Sequence, residues 1–157
     1  MNPQPNSPGR VAGIDYGTVR VGIALSDQER SIASPMETYT RRNAELDAQR
    51  FKRLAREEEV TLFVVGLPVF LDGRESPKSV EARQFGHWLG EITGVPVEFF
   101  DERFTSVEAE NLLLDADFTS KRRKKRIDML AAQIMLSAYL ELRGQKRDKP
   151  GALDDGP

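Results

Sequence analysis

The chain has 157 residues and no cysteine, and 39% of its residues are hydrophobic. This length suits one domain with a sizeable core, and the lack of cysteine excludes disulfides and a thiolate metal site. The net charge is −2, yet the run Lys121–Arg126 carries +6 and leaves −8 on the rest of the chain. Positive charge concentrated in this way favours a polyanionic partner.

No apolar run approaches the roughly 18 residues that cross a membrane, and residues 1–9 lack the basic and apolar regions of a signal peptide. We therefore expect a cytoplasmic protein with no membrane partner. Residues 1–9 and 144–157 are rich in Pro, Asn, Gly or charged side chains. This composition predicts a flexible tail at each end of a single domain over residues 10–143.

Apolar alternation and short apolar runs predict five strands, over residues 11–15, 20–26, 31–36, 61–67 and 95–100. Helical periodicity predicts four helices, over residues 43–59, 79–91, 105–114 and 127–143. In chain order, three antiparallel strands precede two parallel strands that helices connect as crossovers. The predicted fold class is therefore α/β, with a mixed five-stranded sheet and helices on both faces.

The crossovers bring the carboxyl ends of the strands 11–15, 61–67 and 95–100 to one edge of the sheet, where open α/β sheets bind ligands. Asp15 ends the first of these strands, just before a tight turn at Gly17. A carboxylate withdrawn from water needs a partner or a cation, although an aspartate here can also cap the turn through its own backbone. Taken alone, the stretch leaves both interpretations open.

Glu102 follows the strand 95–100 and is expected at the same edge. It either faces the site or forms a surface ion pair with Arg103. The neighbouring Asp101 competes with it for a place in the site, because successive strand residues point to opposite faces. The sequence does not decide which of the two acids faces inward.

Asp128 falls on the apolar arc of the helix predicted over residues 127–143. A carboxylate on a packing face needs an explanation, and one is that the helix begins at Met129 with Asp128 as its N-cap. The other explanation is that Asp128 faces the sheet near the first turn of the helix. There it would lie beside Asp15 and Glu102.

Three acids in one cleft repel one another unless they are protonated or bridged by cations. Hard oxygen ligands suit Mg²⁺ or Mn²⁺, and two such ions roughly 3.5–4 Å apart can activate water and stabilise the leaving oxygen of a phosphodiester. We therefore predict a metal-dependent nuclease whose catalytic and metal-binding residues are Asp15, Glu102 and Asp128. Several basic side chains are candidates for phosphate contacts because of their placement. They are Arg20, Arg74, Lys121, Arg122, Arg123, Lys124, Lys125 and Arg126.

Two other functions compete with this one. An Asp-x-Gly-Thr stretch after a strand also opens the phosphate-binding hairpin of actin-like and sugar-kinase ATPases, but those enzymes close two such domains on a nucleotide and this chain has room for one. A non-catalytic nucleic-acid-binding module is the second alternative. It predicts binding that survives loss of the three acids and depends steeply on salt, and in that case the basic run serves binding alone or is only a solvated charged face.

Four stretches of the sequence resemble the YqgF family, also called RuvX-like or pre-16S rRNA nucleases. They fall in the family's order and together cover residues 10–143. The stretches are Gly13–Ala24, Val65–Pro68 followed by Asp72-Gly73, Asp101–Ser106, and Ile127-Asp128 with Ala131-Ala132.

The resemblance implies an RNase H-like fold, similar to that of Holliday-junction resolvases of the RuvC type. It also implies a divalent-metal site on three acids, which map to Asp15, Glu102 and Asp128, and a bacterial cytoplasmic role in maturing the 5′ end of 16S rRNA. The expected partner is thus structured RNA, with branched DNA as the nearest alternative. The sequence does not separate the two, because no side chain can be assigned to a 2′-hydroxyl, and it leaves monomer and homodimer open.

Overall fold

We describe the fold from a computed structural model of the chain. The structure describes residues 8–105 and 121–148, without the side chains of residues 121–125 and 145–148. In chain order, the elements are β1 (Arg10–Asp15), β2 (Arg20–Ser26), β3 (Ala33–Thr40), α1 (Ala44–Glu57), β4 (Val60–Leu67), α2 (Pro77–Thr93), β5 (Val97–Asp101), a 3-10 turn (Glu102–Phe104) and α3 (Lys121–Asp148).

The five strands form one sheet in the order β3-β2-β1-β4-β5. The β1–β2 and β2–β3 pairs are antiparallel, whereas β4 runs parallel to both β1 and β5. The predicted mixed sheet is therefore confirmed, and the two strands added by crossovers lie together on one side of β1. This order places the carboxyl ends of β1, β4 and β5 at one edge.

The two faces of the sheet carry separate apolar cores. Residues of β4 alternate between them, as the two-residue period of a strand requires. Phe63 and Val65 join the core under α1 and α2, which is built around Phe51 and Phe85. The opposite core, under α3, contains Val64 and ten further buried residues: Val11, Ala24, Ala33, Leu62, Phe100, Ala132, Met135, Leu136, Tyr139 and Leu140.

Polar caps fix the starts of the two helices on the first face. The side chain of Asn43 accepts a hydrogen bond of 2.9 Å from the backbone N–H of Leu46 and caps α1. Ser76 caps α2 in a reciprocal pair with Ser79, and Pro77 occupies the first turn, where proline needs no backbone donor. As a result, α2 begins close to the end of β4, at the edge predicted to hold the site.

The last helix differs from the prediction at both ends. It begins at Lys121 rather than Ile127, so the predicted basic run is helical and Asp128 lies inside the helix; the N-cap interpretation of Asp128 is wrong. The helix also continues to Asp148, so residues 144–148, which the sequence assigned to the C-terminal tail, are helical. The predicted helix 105–114, apart from its first residue, and most of both predicted tails lie outside the described residues.

The remaining boundaries shift by a few residues. Most of the change is in β3, which runs four residues beyond its predicted end and pairs with β2 as far as Thr40. Among the described residues, no helix is both long and apolar enough to cross a membrane.

Candidate active site

The candidate site lies at the carboxyl end of β1, which is the middle strand of the sheet. Asp15 is the last residue of β1 and pairs with Gly22 of β2. Its carboxylate is therefore held at the edge where the three parallel strands end. The position is partly buried, as expected for a side chain at the end of an otherwise buried strand.

Two glycines allow α3 to lie directly on the sheet beside Asp15. A methyl group placed on Gly22 would lie 2.0 Å from the carbonyl oxygen of Asp128, and one on Gly13 would lie 2.8 Å from the Cβ atom of Leu136. Both distances are far below an ordinary contact. The backbone of Asp128 thus packs against the residue that pairs with Asp15, and the two acids come from chain segments more than a hundred residues apart.

Glu102, and not Asp101, reaches toward the site. A methyl group on Gly66 of β4 would lie 2.5 Å from the Oε1 atom of Glu102, so the glutamate side chain lies across the backbone near the end of β4. Asp101 instead accepts hydrogen bonds from the backbone N–H and the Nε of Arg103, at 2.8 and 3.0 Å. These bonds lower the pKa of Asp101. Its carboxylate is therefore paired with Arg103.

The surroundings of Asp15 oppose its ionisation. Burial, and after it the charges of Glu102 and Asp128, raise the pKa of its carboxyl from 3.8 to about 7, although Lys78 acts in the opposite direction. No hydrogen bond from the β1–β2 turn contributes among these causes. The turn-capping interpretation of Asp15 therefore finds no support among the described contacts. A carboxyl at the centre of three acids is instead the kind of perturbed group found at functional sites.

Arg20 pairs with one of these acids. Its Nε donates a hydrogen bond of 2.7 Å to the Oδ2 atom of Asp128, and about a third of its side chain is exposed. The sequence suggested Arg20 as a phosphate contact, and in the structure its guanidinium orients a carboxylate of the site. Contact with a phosphate stays a prediction for this residue.

Asp15 and Asp128 open into a common cavity of about 520 Å³. The β1–β2 turn forms one side of this cavity and the first turns of α2 form the other. Sequence reasoning missed Lys78, whose charge faces Asp15; its place two residues after the N-cap of a helix that follows a parallel strand could have indicated it. The cavity is lined by Asp15, Tyr16, Gly17, Thr18, Val19, Arg20, Pro77, Lys78, Glu81 and Asp128.

The chemistry of the three acids fits a hard divalent cation. Their oxygens are the ligands that Mg²⁺ and Mn²⁺ prefer, and a cation would relieve the repulsion that raises the pKa of Asp15. Within residues 8–105 and 121–148, however, no three Asp, Glu, His or Cys side chains stand close enough together to hold an ion. The charges of Glu102 and Asp128 nevertheless act on Asp15, and Arg20 holds the Oδ2 atom of Asp128.

Of the other predicted basic contacts, Arg74 and Arg126 do not line this cavity, and the rest lie outside the described side chains. Arg74 is exposed; it forms an ion pair of 2.6 Å with Asp72 and lies over the ring of Phe70. Arg126 is exposed on α3, two residues before Asp128. For Lys121–Lys125 only the helical backbone is described, so their contact with phosphate remains a prediction.

Comparison with known proteins gives consistent results. The family model described as "RuvX: Holliday junction resolvase" matches residues 9–142. A protein of Rhodopirellula baltica named "Putative pre-16S rRNA nuclease" is 47% identical over 133 residues, which cover 85% of this chain and 77% of the relative. One of the same name from Koribacter versatilis is 38% identical over 142 residues, covering 90% of this chain and 93% of the relative.

Two solved structures share the fold at low sequence identity. RuvC of T. thermophilus in complex with a Holliday junction substrate is 13% identical with a TM-score of 0.51, covering 85% of this chain and 95% of that one. The yeast mitochondrial Holliday junction resolvase Ydc2 is 12% identical with a TM-score of 0.55, and the match covers 92% of this chain and 83% of that one. The predicted resolvase-like fold is thus confirmed, and the match to the family model and the identity to its relatives show that the chain belongs to the RuvX family.

Proposed function

We propose that this protein is a metal-dependent nuclease that hydrolyses phosphodiester bonds in the precursor of 16S rRNA, in the bacterial cytoplasm. The observation that carries the proposal is the placement of Asp15 at the end of β1, in one cavity with Asp128 and close enough to Glu102 for its charge to act on Asp15. Carboxyl groups perturbed in this way in a cleft are typical of functional sites. Membership of a nuclease family and the names of the relatives support the same reaction and substrate.

The three acids are proposed as the ligands of Mg²⁺ or Mn²⁺, with two ions as the expected number. When bound, such ions supply an activated water and stabilise the oxygen that leaves the phosphate. Asp15 ends β1 and Glu102 follows β5, two parallel strands that lie on either side of β4. Arg20 orients the carboxylate of Asp128 and competes with a cation for its Oδ2 atom. Lys78, on the opposite side of the cavity, offers a positive charge to a substrate phosphate.

Branched DNA is the second candidate substrate, and the description of the RuvX family as a Holliday junction resolvase favours it. One preparation should be assayed on a fragment carrying the 5′ end of pre-16S rRNA and on a four-way DNA junction, each with Mg²⁺ or Mn²⁺. We expect cleavage of the RNA. Cleavage of the junction alone would replace the proposed substrate with DNA.

Two neighbouring acids provide a matched pair of variants for this assay. Glu102→Gln should abolish cleavage, whereas Asp101→Asn changes the same charge one residue away, on a side chain bound to Arg103, and should retain it. Equal activity of Glu102→Gln and the unmodified protein would contradict the metal mechanism. Binding without cleavage by the unmodified protein, with every metal tested, would favour the non-catalytic module.

A further inference from the structure

A second cavity, of about 550 Å³, adjoins the candidate site. It shares Tyr16, Thr18 and Glu81 with the site cavity, and it extends from the β1–β2 turn toward the start of α1. The partly exposed rings of Tyr16 and Trp88 form part of its wall, over the buried ring of Phe85. Aromatic rings beside positive charge are the usual features of a surface that binds single-stranded nucleic acid.

A buried carboxylate shapes the positive part of this wall. Asp47 is only 2% exposed, and it accepts hydrogen bonds from the hydroxyl of Tyr39 at 2.7 Å and from the backbone N–H of Arg42 at 3.0 Å. It also accepts a longer bond, of 3.4 Å, from the Nε of Arg41. The guanidinium of Arg41 lies 5.5 Å from the centre of the Tyr16 ring. Asp47 therefore fixes a corner at which two consecutive arginines turn past the end of β3.

The path continues along α1. Arg42 lines both the second cavity and a third, of about 520 Å³, on the surface of α1. Five of the eight described residues that line the third cavity are cationic, and none of these eight is acidic. The five cations are Arg42, Arg50, Lys52, Arg53 and Arg56.

These cations are not all taken up by internal ion pairs. Arg50 is bound to Glu37 and is mostly buried. Arg53 forms a pair of 3.7 Å with Glu57, but more than half of each side chain is exposed, and a pair of this kind contributes little. Arg42, Lys52 and Arg56 are exposed. In a chain whose net charge is −2, a row of this sign near the candidate site favours a polyanionic partner.

We propose that the RNA strand leaves the site over the Arg41–Arg42 corner and continues along α1, whose arginines and lysine bind its phosphates. The second cavity takes a nucleotide next to the cleaved bond, with the base against the aromatic wall. This path lies on the α1 side of the sheet, away from the basic run at the start of α3. The proposal rests on the proposed function and adds a binding surface to it.

The test compares two double variants with the same loss of charge. Arg53→Gln with Arg56→Gln removes two cations from the path, while Arg83→Gln with Arg143→Gln removes two from surfaces that line none of the three cavities. Binding of a labelled 5′ fragment of pre-16S rRNA is measured by fluorescence anisotropy, without divalent ions, from 50 to 200 mM salt. Cleavage by the unmodified protein is measured in parallel with Mg²⁺ or Mn²⁺.

Each phosphate contact to a single strand contributes about 0.7 to the slope of log affinity against log salt concentration. We expect the magnitude of the slope to be smaller by about 1.4 in the path variant. The ratio of the unmodified protein's affinity to the variant's affinity should therefore fall by about 7-fold from 50 to 200 mM salt. The control variant should lose clearly less. Circular dichroism checks that both variants are folded.

The outcomes separate this proposal from the function on which it rests. Equal slopes for the path and control variants, in a protein that cuts the RNA, would overturn the path and leave the function standing. An unmodified protein that neither binds nor cuts the RNA would overturn both. A path variant whose affinity falls for a DNA junction but not for the RNA would assign the surface to DNA and contradict the proposal.

Discussion

Replacing Asp15 by asparagine should make the protein more stable and inactive at the same time. Asparagine keeps the size of the side chain and removes the charge that burial, Glu102 and Asp128 disfavour. Each tenfold change in proton affinity is worth about 1.4 kcal/mol, so a pKa raised from 3.8 to about 7 corresponds to at most about 4 kcal/mol of lost stability. Because the position is partly exposed, we expect a gain of about 2–4 kcal/mol for the variant at pH 8.

The sign of the pH dependence identifies the source of this gain. Between pH 4 and pH 7 the native state keeps the proton of Asp15 that the unfolded chain has already lost, so the contribution of Asp15 to stability falls as pH rises through this window. The variant lacks this fall. Urea denaturation of both proteins at pH 4 and pH 8, without divalent ions, should show similar stabilities at pH 4 and a clear gap at pH 8.

Divalent ions should reverse the order of stability. Mg²⁺ that binds only the native state stabilises it by mass action, so the unmodified protein should gain stability on titration with Mg²⁺ and the variant should gain little. Cleavage of the pre-16S fragment should fall at least about 100-fold in the variant, within the range seen when one strong electrostatic contact of a site is removed. A variant that is no more stable at pH 8, or that cuts RNA as fast as the unmodified protein, would refute the reasoning.

Three further predictions concern the surroundings of Asp15. Gly22→Ala should destabilise the protein by about 3 kcal/mol or more, because the new methyl group overlaps the α3 backbone. Gly144 lies on α3 itself, where a methyl group would meet open space, so Gly144→Ala should stabilise the protein by roughly 0.5–1 kcal/mol. Urea denaturation measures both changes. Arg20→Gln frees the carboxylate that it binds, and isothermal titration should then show tighter Mg²⁺ binding, whereas weaker binding would contradict competition between the arginine and the ion. Arg103→Gln should release Asp101 and raise its pKa toward the ordinary value, which carbon-detected NMR of the carboxyl can follow; an unchanged pKa would show that the arginine does not set it.

Several features of the fold were predictable because each depends on local periodicity. The apolar strand ending in Asp15 and the turn at Gly17 specify the β1–β2 hairpin, and the nearly all-apolar stretch Thr61–Leu67 specifies a strand covered on both faces. Right-handed crossover connections then leave few ways to arrange the strands. The observed order, β3-β2-β1-β4-β5, follows from these constraints, as does the edge at which the site lies.

The ends of elements were less predictable, because apolar periodicity shows where an element meets the core and not where it starts. α3 packs on the sheet from the region of Ile127 onward, but arginine and lysine also favour helix, and the helix begins six residues earlier. β3 is an edge strand whose residues toward Thr40 are polar and partly exposed. The last residues of the strand therefore show no clear alternation of apolar and polar side chains. In both cases backbone hydrogen bonds extend the element beyond its buried part.

The sequence by itself determined the types and order of the elements, the three acids as candidates, and the family. Only the tertiary structure decided which acid of the pair Asp101-Glu102 turns inward, that Arg20 binds a carboxylate 108 residues away, and that Asp47 holds the corner of a basic path. The physical reason is that the burial pattern of an element depends on residues close together in sequence. Charge pairing and pKa depend instead on distances between segments that only folding brings together.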